Sequence, residues 1–154
     1  GIIGTGATAV QCIPPLGRDA RELFVFQRTP SSIDVRNNHA IEPDWFATLA
    51  SGWQKQWLLN FATLQTGGFA DEDLVKDGWT DIFRTLTGVV AKQAARKLGR
   101  RLSPQERGEL MELADYMNMN QVRARVDEIV TDPATAEKLK PWYRQFCKRP
   151  CFHD

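Results

Sequence analysis

The most constraining feature of the chain lies at its start. The apolar pair Ile2-Ile3 runs directly into Gly4-Thr5-Gly6-Ala7-Thr8-Ala9, which fits G-x-G-x-x-G/A at a strand-to-helix junction. In that pattern Gly4 permits the tight turn, Gly6 lets a pyrophosphate approach the backbone, and the small Ala9 allows close helix–strand packing. The free N–H groups and positive dipole end of a helix opening at Ala7 then face the phosphates. Ala7 to Leu16 reads as a short helix ending around Pro14, Pro15 and Gly17. Leu23-Phe24-Val25-Phe26 reads as a short apolar run suited to a buried parallel strand. Strand, helix and strand in about 30 residues make a βαβ unit.

The end of the second strand bears on which dinucleotide such a unit takes. NAD and FAD sites of this type usually carry Asp or Glu there, to accept hydrogen bonds from the ribose hydroxyls. Here the strand ends Phe26-Gln27-Arg28-Thr29, without a carboxylate. Arg28 carries a planar, permanent charge suited to a bidentate grip on a 2′-phosphate, and Thr29 adds a hydroxyl. This favours NADPH.

The remainder is of a different character. Residues 31–43 read as a loop, and from Pro43 to about Leu139 the pattern is helical. Trp45, Phe46, Leu49, Trp53, Trp57 and Leu58 recur at helical spacing, and a second helix is expected over Trp79 to Leu98, using Ile82, Phe83, Leu86, Val89 and Val90. Ser103-Pro104-Gln105-Glu106 is a capping-box start for a third helix running to about Met117, with Asn118 to Val130 either continuing it or opening another. Asp132-Pro133 opens a last short helix, and residues 140–154 read as irregular. Too few strands are present for a stable sheet. The expected fold is therefore α/β: an incomplete Rossmann-like dinucleotide-binding unit with a large all-helical insertion. The ends, Gly1-Ile2-Ile3 without an initiator Met and Cys151-Phe152-His153-Asp154, read as cuts through a longer protein.

Composition narrows the function classes. Of 154 residues, 42% are hydrophobic and 25% charged, an ordinary globular balance. With 20 basic and 19 acidic residues the net charge is +1, which gives no reason to expect a nucleic-acid or anionic-membrane partner. No apolar run approaches the roughly 20 residues of a membrane span. Cys12, Cys147 and Cys151 do not make a disulfide scaffold, so a cytoplasmic location is expected. Cys147, Cys151 and His153, with His39 as the only other His, are too few to suggest a metal site. Asp71, Glu72 and Asp73 suit a solvated helix start, and Arg96, Lys97, Arg100 and Arg101 a helix C-terminus.

Gly4-Thr5-Gly6-Ala7-Thr8-Ala9-Val10-Gln11, followed by Leu23-Phe24-Val25-Phe26-Gln27-Arg28-Thr29-Pro30, resembles the second dinucleotide-binding motif of Baeyer–Villiger monooxygenases. Lys148-Arg149-Pro150 is similar to the Lys-Arg pair of the same family, and the helical stretch between the two motifs matches its insertion. The resemblance implies that Arg28, Thr29 and Lys148 hold the 2′-phosphate of NADPH. It implies that Arg149 reaches the flavin, where it stabilises the anionic peroxyflavin and is the catalytic residue. The cofactor contacts expected on this basis are Gly4, Thr5, Gly6, Ala7, Ala9, Gln27, Arg28, Thr29 and Lys148. The implied activity is NADPH- and FAD-dependent oxidation of a small-molecule ketone by O₂ to an ester or lactone.

The family's Phe-x-Gly-x-x-x-His-x-x-x-Trp/Phe string and an FAD-binding G-x-G-x-x-G are absent. FAD is accordingly expected to be bound mainly by parts outside this chain, and the segment alone to be inactive. The expected organisation is 1–30 as the start of the NADPH-binding domain, 31–139 as the insertion, and 140–154 as a return toward the flavin and NADP site. Trp142 and Tyr143, beside the basic pair, fit either a cavity wall or packing. A flavin-containing N- or S-oxygenase and a non-catalytic NADP-binding remnant are the alternative functions.

Overall fold

The computed structural model describes residues 1–154 apart from Gly67, Phe69, Gly88 and Arg149, and apart from the side chains of Leu86, Thr87 and Val89. The described residues form an α/β structure in which helices dominate, and the chain divides into two compact units, residues 1–35 with 115–154, and residues 36–114.

In the first unit, strand β1 (Ile2–Ile3) lies parallel to β2 (Val25–Phe26), with Ile2 opposite Val25 and Ile3 opposite Phe26. The N–H groups of Ile2 and Gly4 donate to the carbonyls of Phe24 and Phe26 at 2.8 and 2.7 Å. Helix α1 (Ala7–Asp19) connects the two strands. It runs past its expected end, with Pro14 and Pro15 inside it. The prolines lack the N–H groups that would bond one turn back, but a proline ring fixes φ near the helical value, and the helix continues until the Ala20 N–H donates to the Leu16 carbonyl at 2.9 Å. The expected burial of Leu23–Phe26 is not found: Phe24 and Phe26 are 61% and 62% exposed, and Ile3 91%. Such a run belongs in a sheet covered on both faces, and a two-stranded sheet within this chain leaves these rings uncovered.

A second parallel pair stands where the sequence pattern gives only a loop and an irregular tail. Strand β3 (Ile33–Asp34) pairs with β4 (Cys151–Phe152), Ile33 opposite Cys151 and Asp34 opposite Phe152. Two-residue strands are too short for an alternation to register. Around them Val10, Met119, Val122, Ala136 and Cys151 form the buried apolar core, with Ser32 and Gln145 fully enclosed among them. The Ser32 hydroxyl approaches the Met119 sulfur at 3.8 Å, and Gln145 accepts from Asn118 at 2.9 Å.

In the second unit, the aromatic stretch is a 3₁₀ turn (Trp45–Thr48) and a separate helix α2 (Trp53–Gln65). Gly52, at φ +85°, sits at the break, in a region open to glycine and costly for other residues. Trp45, Phe46, Trp53 and Trp57 meet edge-to-face, with ring centroids 4.9 to 6.4 Å apart. The stretch expected as helical over Trp79 to Leu98 is helical on both sides of Gly88, as α3 (Gly78–Thr87) and α4 (Val89–Leu98). Gly88 and the Leu86 and Val89 side chains, on which part of that expectation falls, lie outside the described residues. Asp77, not the Asp71–Asp73 run, caps α3: its Oδ1 accepts the Trp79 N–H at 2.9 Å. Asp73 instead closes a turn, accepting from the Val75 and Lys76 N–H groups at 2.9 and 3.0 Å.

Helix α5 (Pro104–Ile129) is continuous, deciding between the two expected arrangements of residues 104–130. Its capping box forms reciprocally: the Glu106 N–H donates to the Ser103 hydroxyl at 3.1 Å, and the Ser103 N–H to Glu106 Oε2 at 2.8 Å. Arg100 adds a bidentate grip on Glu106 at 2.6 and 2.9 Å. That guanidinium first, and the Ser103 N–H second, bring the Glu106 carboxyl down to about 2. Helix α6 (Pro133–Leu139) opens as expected on Asp132, whose Oδ2 accepts the Thr135 N–H at 2.9 Å.

Two outcomes follow for the start of α5. Ser103→Ala should cost about 1 kcal/mol, read from denaturant unfolding. Because the folded Glu106 titrates below its ordinary value, its stabilisation is complete above about 4.5 and lost as pH falls toward about 2. Helicity followed by circular dichroism should lose this acid-dependent component in Glu106→Gln.

Candidate functional site

The glycine turn, the end of β2 and the return segment of the first unit enclose one cleft. It measures about 370 Å³ and is lined by Ile3, Gly4, Thr5, Gly6, Phe26, Arg28, Thr29, Ser31 and Lys148. Gly4 adopts φ +88°, the left-handed conformation that turns the chain out of β1. Gly6 stands at the helix N-cap position with φ −76° and ψ −172°, and nothing lies within 4 Å of where a Cβ would project. No side chain caps α1 at Gly6, so the first N–H groups of this 13-residue helix have no side-chain acceptor there.

Two cations, Arg28 from beyond β2 and Lys148 from the return segment, line the cleft, and no carboxylate does so among the described residues. The turn and the segment after β2 are tied together. Thr5 Oγ1 donates to the Thr29 carbonyl at 3.3 Å, and the Ser31 hydroxyl donates to the Thr5 carbonyl and lies 3.2 Å from Thr5 Oγ1. Tyr143 holds the same segment from its other side. Its hydroxyl donates to the Pro30 carbonyl at 2.7 Å and accepts the Ser32 N–H at 2.9 Å. Burial pushes the phenol up, against the lowering effect of the Ser32 N–H, so it keeps the proton it donates. The Lys148 ammonium lies 4.8 Å from the centre of the Tyr143 ring. Trp142, by contrast, stacks on the guanidinium of buried Arg123 at 4.4 Å and donates to Glu137 at 3.1 Å, a packing role.

Of the sequence-derived site residues, Gly4, Thr5, Gly6, Arg28, Thr29 and Lys148 thus come together, although residues 28 and 148 lie far apart in the chain. Ala7 and Ala9 lie on the first turn of α1, Ala9 buried. Gln27 faces elsewhere, donating to the Lys138 carbonyl at 3.0 Å and lining an apolar hollow of about 580 Å³ between α1, β3 and the end of α5. Arg149 lies outside the described residues. Ser31 was legible only as loop punctuation, and no spacing signal marks it as a clasp.

Fold and site together define a class: an α/β protein with a glycine turn between strand and helix, beside which two cations make an anion-accepting cleft. No protein-family profile matches the chain. It is 54% identical over all 154 residues to a Baeyer–Villiger monooxygenase of Stachybotrys chlorohalonatus, covering 24% of that protein. It is 53% identical to neopentalenolactone D synthase of Streptomyces avermitilis and 43% to an FAD-binding monooxygenase of Hypomyces subiculosus, covering all of this chain and 25% of each relative. Among solved structures, polycyclic ketone monooxygenase from Thermothelomyces thermophila superposes with a TM-score of 0.75 at 40% identity, over 100% of this chain and 25% of that one. Along its whole length the chain is therefore homologous to a segment of Baeyer–Villiger-type monooxygenases, and it spans about a quarter of the length of the relatives it matches.

The two glycines separate conformation from access. Gly4→Ala should destabilise the fold by about 1–2 kcal/mol, because its φ is left-handed. Gly6→Ala should leave the melting temperature near wild type, because its φ is ordinary and its surroundings open. Equal melting temperatures for the two variants would contradict the strain assigned to Gly4.

Proposed function

We propose that the chain is the NADP-holding part of an NADPH- and FAD-dependent monooxygenase that oxidises a small-molecule ketone with O₂ to an ester or lactone. The observation that carries this reading is the convergence of the Gly4–Gly6 turn, Arg28, Thr29 and Lys148 on one cleft. The names of the relatives support the reaction class.

The donors suit a dinucleotide phosphate. Backbone N–H groups at the start of α1 meet the pyrophosphate, Arg28 gives a planar fork for the 2′-phosphate, and Lys148 adds a point charge. A carboxylate that would select an unphosphorylated ribose is missing from the lining. When bound, NADPH supplies the hydride and FAD the oxygen chemistry. The part played by Arg149 in this reading is a fixed cation directed to the flavin, where it stabilises developing negative charge. Residues 1–30 then open a Rossmann-like NADPH-binding domain, 31–139 form its helical insertion, and 140–154 return to the cofactor site. FAD is held mainly by other parts of the enzyme, so the 154 residues alone do not turn over. A cytoplasmic location fits this reading, and among the described residues no helix is long and apolar enough to cross a membrane.

In the complete enzyme, Arg28→Ala should weaken NADPH by about ten- to a hundred-fold, the range of a lost charge-assisted contact, with NADH nearly unaffected. Equal losses for both coenzymes would sink the 2′-phosphate role. Arg149→Ala should preserve reduction of the flavin by NADPH, followed by its absorbance, while ester formation disappears from the product assay. Ester formation at the wild-type rate would remove Arg149 from the chemistry.

A further inference from the structure

Lysine is a poor selector unless something holds it. Its ammonium rides on a flexible four-carbon stem, and fixing that stem on binding costs rotamer freedom. Lys148 is largely solvent-facing, and within the cleft Arg28 repels it. Its ammonium nonetheless lies over the face of Tyr143, 4.8 Å from the ring centre, at a distance where the ring quadrupole attracts a cation.

Tyr143 itself has little freedom. Its hydroxyl is used twice, to the Pro30 carbonyl at 2.7 Å and from the Ser32 N–H at 2.9 Å, and Ser32 is 1% exposed. The segment between residues 143 and 148 is anchored as well. A 3₁₀ turn covers Gln145–Cys147, the Gln145 N–H donates to Asp115 at 2.9 Å, and the Gln145 side chain is fully buried. The backbone pinned by Tyr143 immediately follows Arg28 and Thr29, and the cation resting on its ring is Lys148. One side chain therefore touches Lys148 and the backbone two residues beyond Arg28.

We propose that Tyr143 is a positioning residue for coenzyme selectivity: its hydroxyl fixes residues 30–32 behind Arg28, and its ring holds the Lys148 ammonium at the place where a 2′-phosphate is recognised. This rests on the reading of the cleft as an NADP site. Tyr143 does not touch the nucleotide in this scheme. It acts by removing, before binding, the freedom that Lys148 and the 30–32 segment would otherwise lose during it.

Equilibrium binding of NADP⁺ and NAD⁺ to the complete flavoenzyme, by calorimetry without turnover, tests it. Tyr143→Leu removes ring and hydroxyl and should raise the Kd for NADP⁺ roughly two- to five-fold, the range of an exposed cation–π contact, with the Kd for NAD⁺ unchanged. Tyr143→Phe keeps the ring beneath Lys148, folds more readily, and should show a smaller loss with the same preference. In a Lys148→Ala background, Tyr143→Leu should bring a smaller further loss than in the wild type, because only the bracing of residues 30–32 is left for it to remove.

A merely structural tyrosine would weaken NADP⁺ and NAD⁺ alike, and that result overturns the proposal. So does full additivity with Lys148→Ala. Lys148→Ala alone separates the two levels. If it lowers the NADP⁺ preference while neither Tyr143 variant does, only the positioning role fails. If it leaves the preference intact, the NADP reading of Lys148 fails and the role of Tyr143 falls with it.

Discussion

The backbone of residues 29–32 is held from two sides, and the cleft depends on that grip. On one side the Thr5 hydroxyl donates to the Thr29 carbonyl and the Ser31 hydroxyl donates to the Thr5 carbonyl, joining the glycine turn to the segment after β2. On the other, the Tyr143 hydroxyl takes the Pro30 carbonyl and the Ser32 N–H together. A short parallel pair has few ladder bonds of its own, and a sheet of two two-residue strands is marginal without support. Here the support comes from side chains bonding to backbone, which satisfies polar groups that would otherwise be costly to enclose. Arg28 leaves this braced segment and Lys148 reaches it from the far end of the sequence.

The same economy recurs in the second unit, where two helices begin on side-chain acceptors. Asp77 caps α3, and Ser103 with Glu106 caps α5. Arg100 adds a charge to the latter cap, which explains why the Glu106 carboxyl is held so far below its usual range. The aromatic cluster of Trp45, Phe46, Trp53 and Trp57 contributes by edge contacts, an arrangement favoured by ring quadrupoles over face-to-face stacking.

What could be read from the sequence was whatever depends on neighbours in the chain. The glycine turn, the opening of α1, the Ser103 capping box and the Asp132 start of α6 are local devices, and each stands where its residues put it. The convergence of Arg28 and Lys148 on one cleft was reached only through the family resemblance, since no periodicity links positions so distant. Pairing of β3 with β4 escaped because strands of two residues carry no alternation. The extent of α1 was underestimated because proline was read as a stop, when its fixed φ is compatible with a helix already under way. The acidic run at Asp71–Asp73 suited a helix start by composition, but the cap belongs to Asp77, four residues on. The clasp of Ser31 and the double use of the Tyr143 hydroxyl are long-range bonds to backbone, and residue type alone does not specify such partners.

The exposed apolar side chains along β1 and β2 have a practical meaning. Ile3 and Phe26 stand on strands whose neighbours, among the described residues, are only each other, and Phe24 directly precedes β2. Unpaired strand edges flanked by large apolar side chains are templates for further pairing with any chain that offers a matching strand. Handled as a free polypeptide of 154 residues, this segment presents its cleft and an exposed apolar surface on the same two strands. Self-association would then compete with any ligand of the cleft for one edge of the molecule, and dilution would be needed to tell them apart.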